Sequence, residues 1–171
     1  QFGQDDYTEP SIPLENADGG ISTAFTFSKS KILKEKPQIP GLPSSYGKGK
    51  TLELKYVDEP TKVALYIYYT VFEDNDVIAV SSKLFNASEK ELHIRRLASL
   101  QLDLLGDYSV VTFEGAFARE RQKVSRTLNK GVFYIDSKNG ASSHNRNPFV
   151  MAKGQDGVYA FNLVYSGNHK E

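Results

Sequence analysis

The chain has 171 residues, with 21 basic and 21 acidic side chains, no Cys, no Trp, one Met, ten Tyr and ten Phe. That length suits one domain, which buries roughly 70 % of the surface its unfolded chain exposes, and a formal charge of zero supplies no net field to attract nucleic acid or an anionic membrane. Without Cys there is no disulfide framework, thiol nucleophile or Cys-ligated zinc; no apolar run approaches the ~20 residues of a membrane span, and no signal-peptide pattern opens the chain.

Turn signals recur at short intervals without a long 3.6-period stripe, so the layout expected is all-β. The stretch from Lys34 to Gly49 carries Pro37, Pro40 and Pro43 with Gly41, Gly47 and Gly49 and reads as a long loop. Thr51 to Asp58 alternates, with Leu52, Leu54 and Tyr56 on one side and Glu53 and Lys55 on the other, the pattern of a strand with one wet face. Glu59-Pro60-Thr61 turns the chain. Lys62 to Phe72 is apolar on both alternating sets, which predicts a strand at the centre of a sheet. Glu73 to Asp76 and Ala87 to Lys90 are the next turns. Val77–Asn86 and Glu91–Leu97 complete a meander of consecutive antiparallel neighbours.

Further strands are expected at Ser99–Leu104, Tyr108–Phe113, Val132–Asp136 and Val158–Tyr165. Gly115 to Leu128 is open between helix and irregular strand, because Phe117, Val124 and Leu128 fit a helical face poorly and Arg121 takes an apolar place. Ser137 to Pro148 is polar throughout, contains Asn139-Gly140, and reads as a second long loop. Loops of that length in compact domains are usually functional or interfacial.

Catalytic patterns are scarce. His93, His144 and His169 lie far apart and form no i, i+4 ligand pair; His93 reads as a sheet histidine and His169 as part of a frayed end. Ser142-Ser143-His144 is adjacent in sequence, but a nucleophile and its base are recognised by spatial geometry. A polar loop bonded to its own backbone explains the triplet better. Neither phosphate-cradling glycine motif occurs, and no cofactor or metal is called for. The Asn86-Ala87-Ser88 sequon is short enough to arise by chance. Aromatic residues are expected mainly as core and cross-strand pairs, with a sugar-stacking platform as the rival use.

Six segments occur in one order: FGQDDYTEPSI from Phe2, KPQIPGLPSSY around Pro37, YYTVFEDNDVI from Tyr68, GAFARER from Gly115, GASSHNRNPF from Gly140 and VYAFNLVYSGN from Val158. This series resembles the N-terminal domain of bacterial α-galactosidases of glycoside hydrolase family 36. The resemblance implies an antiparallel β-super-sandwich of the galactose-mutarotase-like kind, standing before a (β/α)8 catalytic barrel. It implies hydrolysis of terminal α-galactosides such as melibiose, raffinose and stachyose by a retaining mechanism, with both catalytic Asp residues in the barrel. No catalytic residue is therefore expected in this chain.

The chain starts at Gln1, has Met151 as its one methionine and ends on His169-Lys170-Glu171, so it is expected to be a single domain excised from a longer enzyme, its sandwich cut on the N-terminal side. The expected partners are the parent's own barrel and, in the parent, further copies in a tetramer. By resemblance Asp6 can reach substrate across a subunit boundary, whereas Thr8 replaces the family's arginine and loses its bidentate reach. Phe117 stands for a family tryptophan as an aromatic plug. The interface candidates are Arg119, Arg121, Ser142, Ser143, His144 and Asn147, with the two long loops around them. A cytoplasmic location fits the lack of Cys. The alternative function is a galactoside-binding module in its own right.

Overall fold

A computed structural model of the chain describes residues 11–128, 132–141, 144–165 and 167–170; among them there are twelve strands and no helix. No helix there is long and apolar enough to cross a membrane. The strands group into two compact units, residues 11–38 with Tyr46–Leu102, and Ile39–Ser45 with residues 103–170.

The first unit contains β1 (Leu14–Asn16), β2 (Thr26–Leu33), β3 (Gly49–Asp58), β4 (Val63–Phe72), β5 (Ile78–Asn86) and β6 (Leu92–Ile94). Its main sheet is antiparallel in the order β2-β3-β4-β5. As the doubly apolar run requires, β4 is an inner strand, burying Val63 and Leu65 on one alternating set and Ala64, Tyr68 and Phe72 on the other. Its register with β3 is unbroken from Gly49↔Phe72 to Asp58↔Val63. Directly opposed Thr51 and Thr70 share a buried 2.7 Å hydroxyl–hydroxyl bond, so neither polar group is left unmet. At Gly49 a Cβ would stand 2.6 Å from the Val71 carbonyl oxygen, so only glycine fits where β3 begins.

The expected turns form. Asp58 accepts the Thr61 hydroxyl and, at 3.2 Å, the Ala24 N–H, closing the bend from β3 to β4. Phe72 N–H donates to the Val77 carbonyl at 3.2 Å across the acidic turn. Asn86 Oδ1 accepts the Ser88 N–H at 3.0 Å in an Asx turn after β5.

Several expectations change. β3 has no single wet face: Leu52, Leu54, Glu53 and Lys55 are all half-buried, because β3 is itself an inner strand and Lys55 lays its ammonium over the Tyr66 ring at 5.7 Å. The Glu91–Leu97 strand shrinks to β6 and leaves the meander to pair with β1. Leu14, 1 % exposed, supplies the apolar anchor there, and Ala98 N–H donates to the Ser11 carbonyl at 3.0 Å. Ser99–Leu104 forms no strand; Leu100 and Leu102 are exposed and the segment has no ladder partner. Strands β1 and β2 were not foreseen, and β2 is an edge strand whose Lys29 and Lys31 disguise it.

The second unit contains β7 (Ser109–Ala116), β8 (Arg119–Thr127), β9 (Asp136–Ser137), β10 (Asn145–Lys153), β11 (Val158–Asn162) and β12 (His169–Lys170). The order is β11-β10-β7-β8, with β9 and β12 as a separate antiparallel pair. The open question over Gly115–Leu128 resolves as the end of β7, a tight turn and β8, with Ala118 in the left-handed region at φ 60. Val132–Asp136 yields strand only at Asp136–Ser137; Val132 is 92 % exposed and Ile135 alone is buried. The Ser137–Pro148 loop ends early, since Asn145 to Pro148 already belong to β10. Pro148 is tolerated because the register with β7 shifts between Arg146 and Val150, where no ladder N–H is needed. His169 is not frayed: it pairs with Ser137 and is 8 % exposed.

Candidate functional site

The sheet of the second unit is irregular where its chemistry lies. Glu114 faces Gln122 on β8, Ala116 faces Arg119, and between them Gly115 is opposed by both Glu120 and Arg121, a bulge. A Cβ at Gly115 would meet Glu120 Cα at 2.8 Å and the Arg119 carbonyl oxygen at 2.9 Å, so the bulge depends on glycine. Arg121 itself sits at φ 56, the strained left-handed region for a residue with a Cβ. In a regular strand Arg119 and Arg121 would share a face. The extra residue sends them apart, into different clefts.

One cleft, of about 640 Å³, lies on the face shared by Glu114, Gln122 and Arg146 and also takes in Arg119. Arg119 forms no ion pair among the described residues, whereas Glu114 and Arg146 are engaged. Glu114 accepts from Arg126 at 2.7 Å and lies 3.4 Å from Arg146 Nε. Arg126 also donates to the Thr112 hydroxyl at 3.3 Å and lies 5.4 Å from the Phe133 ring centroid, while Arg146 donates to the Tyr134 carbonyl at 3.1 Å. The Arg126 guanidinium holds the Glu114 carboxyl below the ordinary carboxylate value, with Arg146 adding to it. This network ties β7, β8 and β10 together.

The other cleft, of about 630 Å³, lies on the opposite face with Phe113, Phe149 and Asn162, and it gathers residues the sequence had singled out separately: Pro43 of the first long loop, Arg121, Asn147 and Pro148. The Phe113 and Phe149 rings pack at 5.5 Å between centroids, tilted by 42°. Asn147 Oδ1 is buried and receives no hydrogen bond among the described residues. Arg121 is exposed and forms no ion pair among the described residues.

His144 lines neither cleft; its carbonyl accepts from the Ser137 hydroxyl at 2.9 Å and from Arg146 N–H at 3.0 Å. Asp6, Thr8, Ser142 and Ser143 lie outside the described residues. Phe117, expected as a plug, stands 85 % exposed at the hairpin tip. In the first unit Tyr66 and Tyr68 stack at 6.4 Å, but Tyr68 is buried and offers no open face; burial, with Glu53 beside it, pushes its hydroxyl pKa up to about 12. Among the described residues no three His, Asp or Glu side chains are grouped to hold a metal. Glu114, Arg126 and Arg146 escaped sequence reasoning, because only the β7–β8–β10 pairing makes them neighbours.

Among the described residues both units are built of antiparallel strands alone. The chain belongs to glycosyl hydrolase family 36, whose N-terminal domain profile it matches over residues 1–171. It is 32 % identical to α-galactosidase Mel36A of Lactobacillus acidophilus, over 98 % of this chain and 24 % of that protein. It superposes with a TM-score of 0.93 on the crystal structure of the α-galactosidase from Lactobacillus brevis, at 34 % identity over 100 % of this chain and 24 % of that one. The crystal structure of a variant of the α-galactosidase AgaA from Geobacillus stearothermophilus in complex with stachyose gives a TM-score of 0.93 at 31 % identity, covering 99 % of this chain and 25 % of that one. The chain thus spans about a quarter of the length of these relatives, and the expected family and its antiparallel β-sandwich fold are borne out.

Proposed function

We infer that the chain serves as the non-catalytic N-terminal domain of an α-galactosidase, supporting a catalytic barrel and subunit contacts while the bond-breaking residues lie in other parts of the polypeptide. The end-to-end match to the family's N-terminal domain carries this reading. The parent enzyme would remove terminal α-galactose from melibiose, raffinose and stachyose by a retaining mechanism, in the cytoplasm, as an oligomer.

The local chemistry supports a non-catalytic role. A retaining glycosidase needs an acid whose pKa is raised and a second carboxylate roughly 5 Å away. Glu114 is held below its ordinary value by Arg126, and Glu15 by Arg95, the wrong direction for donating a proton near neutrality. Both carboxylates are already engaged by arginine.

Assay of the complete polypeptide with a chromogenic α-galactoside tests the class: turnover is expected, and none with α-galactosides but activity on another glycoside would overturn it. Calorimetric titration of the 171-residue chain with melibiose and raffinose separates platform from binding module. No saturable heat is expected, and a clear isotherm would establish the module instead.

A further inference from the structure

The two edges of the second unit's four-stranded sheet differ. β8 is guarded against a further strand by five charged side chains among its nine residues. β11 (VYAFN) has no charge, no proline and no register shift. Gly154 N–H donates to the Gly157 carbonyl at 3.0 Å before β11, and Leu163 N–H to the Pro148 carbonyl at 3.1 Å after it, both in step with the β10–β11 register. Hydrogen-bonded pairs alternate along an antiparallel ladder, so Tyr159 and Phe161 turn their backbone groups toward β10. Val158, Ala160 and Asn162 turn theirs outward; all three residues are exposed, and among the described residues no strand lies beyond them.

We propose that this edge pairs antiparallel with β11 of a second copy of the chain, about a two-fold axis at Ala160. In that register Ala160 faces the partner's Ala160 and Val158 faces the partner's Asn162, so every outward N–H and C=O of the strand is met. Tyr159 falls opposite the partner's Phe161, and Phe161 opposite the partner's Tyr159, in the closely spaced pairs where aromatic side chains interact across strands. The sequence selects the occupant: an aromatic residue on either side of a small central one reads alike in both directions, which makes β11 its own complement. Tyr159 is already set by Tyr108, 6.4 Å away between ring centroids. Neutral side chains at the edge and a formal chain charge of zero leave no repulsion between copies. The proposal gives the subunit contact of the proposed function a location, and rests on that reading in expecting copies to assemble.

Hydrogen exchange in the complete polypeptide, read at single amides, tests it. The Val158, Ala160 and Asn162 amides are expected to exchange at least tenfold more slowly than open edge amides, and to lose that protection on dilution. Ala160→Glu and Ala160→Lys each set like charges opposite one another at the axis and are expected to abolish the protection. Mixing the two variants is expected to restore it, because opposite charges then meet. The inward Tyr159 and Phe161 amides report on the ladder with β10 and are expected to stay protected in every sample. Fast exchange of the outward amides in the unmodified protein at every concentration overturns the pairing. Protection that survives in both variants, or that their mixture fails to regain, also overturns it, assigning the edge to a strand of the same polypeptide. The same samples are assayed on a chromogenic α-galactoside. An inactive protein with the expected exchange would sink the enzymatic reading and leave the pairing standing, and an active one with a fast-exchanging edge would do the reverse.

Discussion

The two four-stranded sheets of this chain solve different problems. In the first, β3 and β4 pair through ten consecutive positions without a slip, and the polar groups it buries are matched within the sheet, as Thr51 with Thr70. In the second, both ladders of β7 are interrupted, at Gly115 and around Pro148, and the interruptions place Arg121 and Asn147 at one cleft, where among the described residues Arg121 has no ion pair and Asn147 Oδ1 no donor. Regular pairing spends its hydrogen bonds on the fold, whereas bulges release side chains to face something else. The first sheet slips only along its edge strand, between Phe27 and Lys29, whereas the second slips on both sides of the inner strand β7.

Overfilling either sheet at its glycine should have the largest effect. Gly49→Val brings a side chain onto the Val71 carbonyl and Gly115→Val onto the Glu120 backbone, where no flexible group can yield. Each is expected to cost about 1–3 kcal/mol, read as a lower urea midpoint, and Gly115→Val should also remove the separation of Arg119 from Arg121. A Gly115→Val protein of unchanged midpoint would show that the bulge is not needed.

Next comes the buried threonine pair. Thr51→Val alone leaves the Thr70 hydroxyl unmet, and Thr70→Val does the converse, each at about 1–3 kcal/mol. The double change removes both polar groups and should recover most of that loss. Simple additivity of the two single effects would contradict the pairing.

The ion pairs rank below. Because Glu114 is held below its unfolded value of 4.5 by Arg126, its contribution is fully present above that pH and is lost as pH falls through the lower folded value. Glu114→Gln is expected to cost about 1 kcal/mol near neutrality, discounted for its partial exposure, and to flatten this part of the acid limb of stability. Smallest is the surface Glu15–Arg95 pair at 2.5 Å; Glu15→Gln is expected to shift the urea midpoint less than any change above, and any difference should vanish in high salt.

The same contrast decides how much could be read from sequence. Lys62–Phe72 announced an inner strand because its apolar residues fill both alternating sets, and the flanking Pro60 and Asp74–Asp76 clusters announced its turns. The β6 strand was legible from Leu92 and Ile94, but its partner was not, since Leu14 is far away in the chain and local pattern carries no pairing information. β10 was hidden because Asn145, Asn147 and Pro148 are loop formers everywhere except at a bulge. For the candidate site, Arg121 and Asn147 were singled out within family-like motifs, yet Arg119 seemed their companion until the bulge placed it on the other face. Glu114, Arg126 and Arg146 left no sequence signal, because their network exists only across three strands.

The division of labour between this chain and the remainder of its polypeptide is tested most directly by incubating the purified 171-residue chain with a chromogenic α-galactoside. No release of chromophore above the uncatalysed rate is expected at any enzyme concentration. Turnover that scales with the amount of chain and is abolished by Glu114→Gln would contradict it.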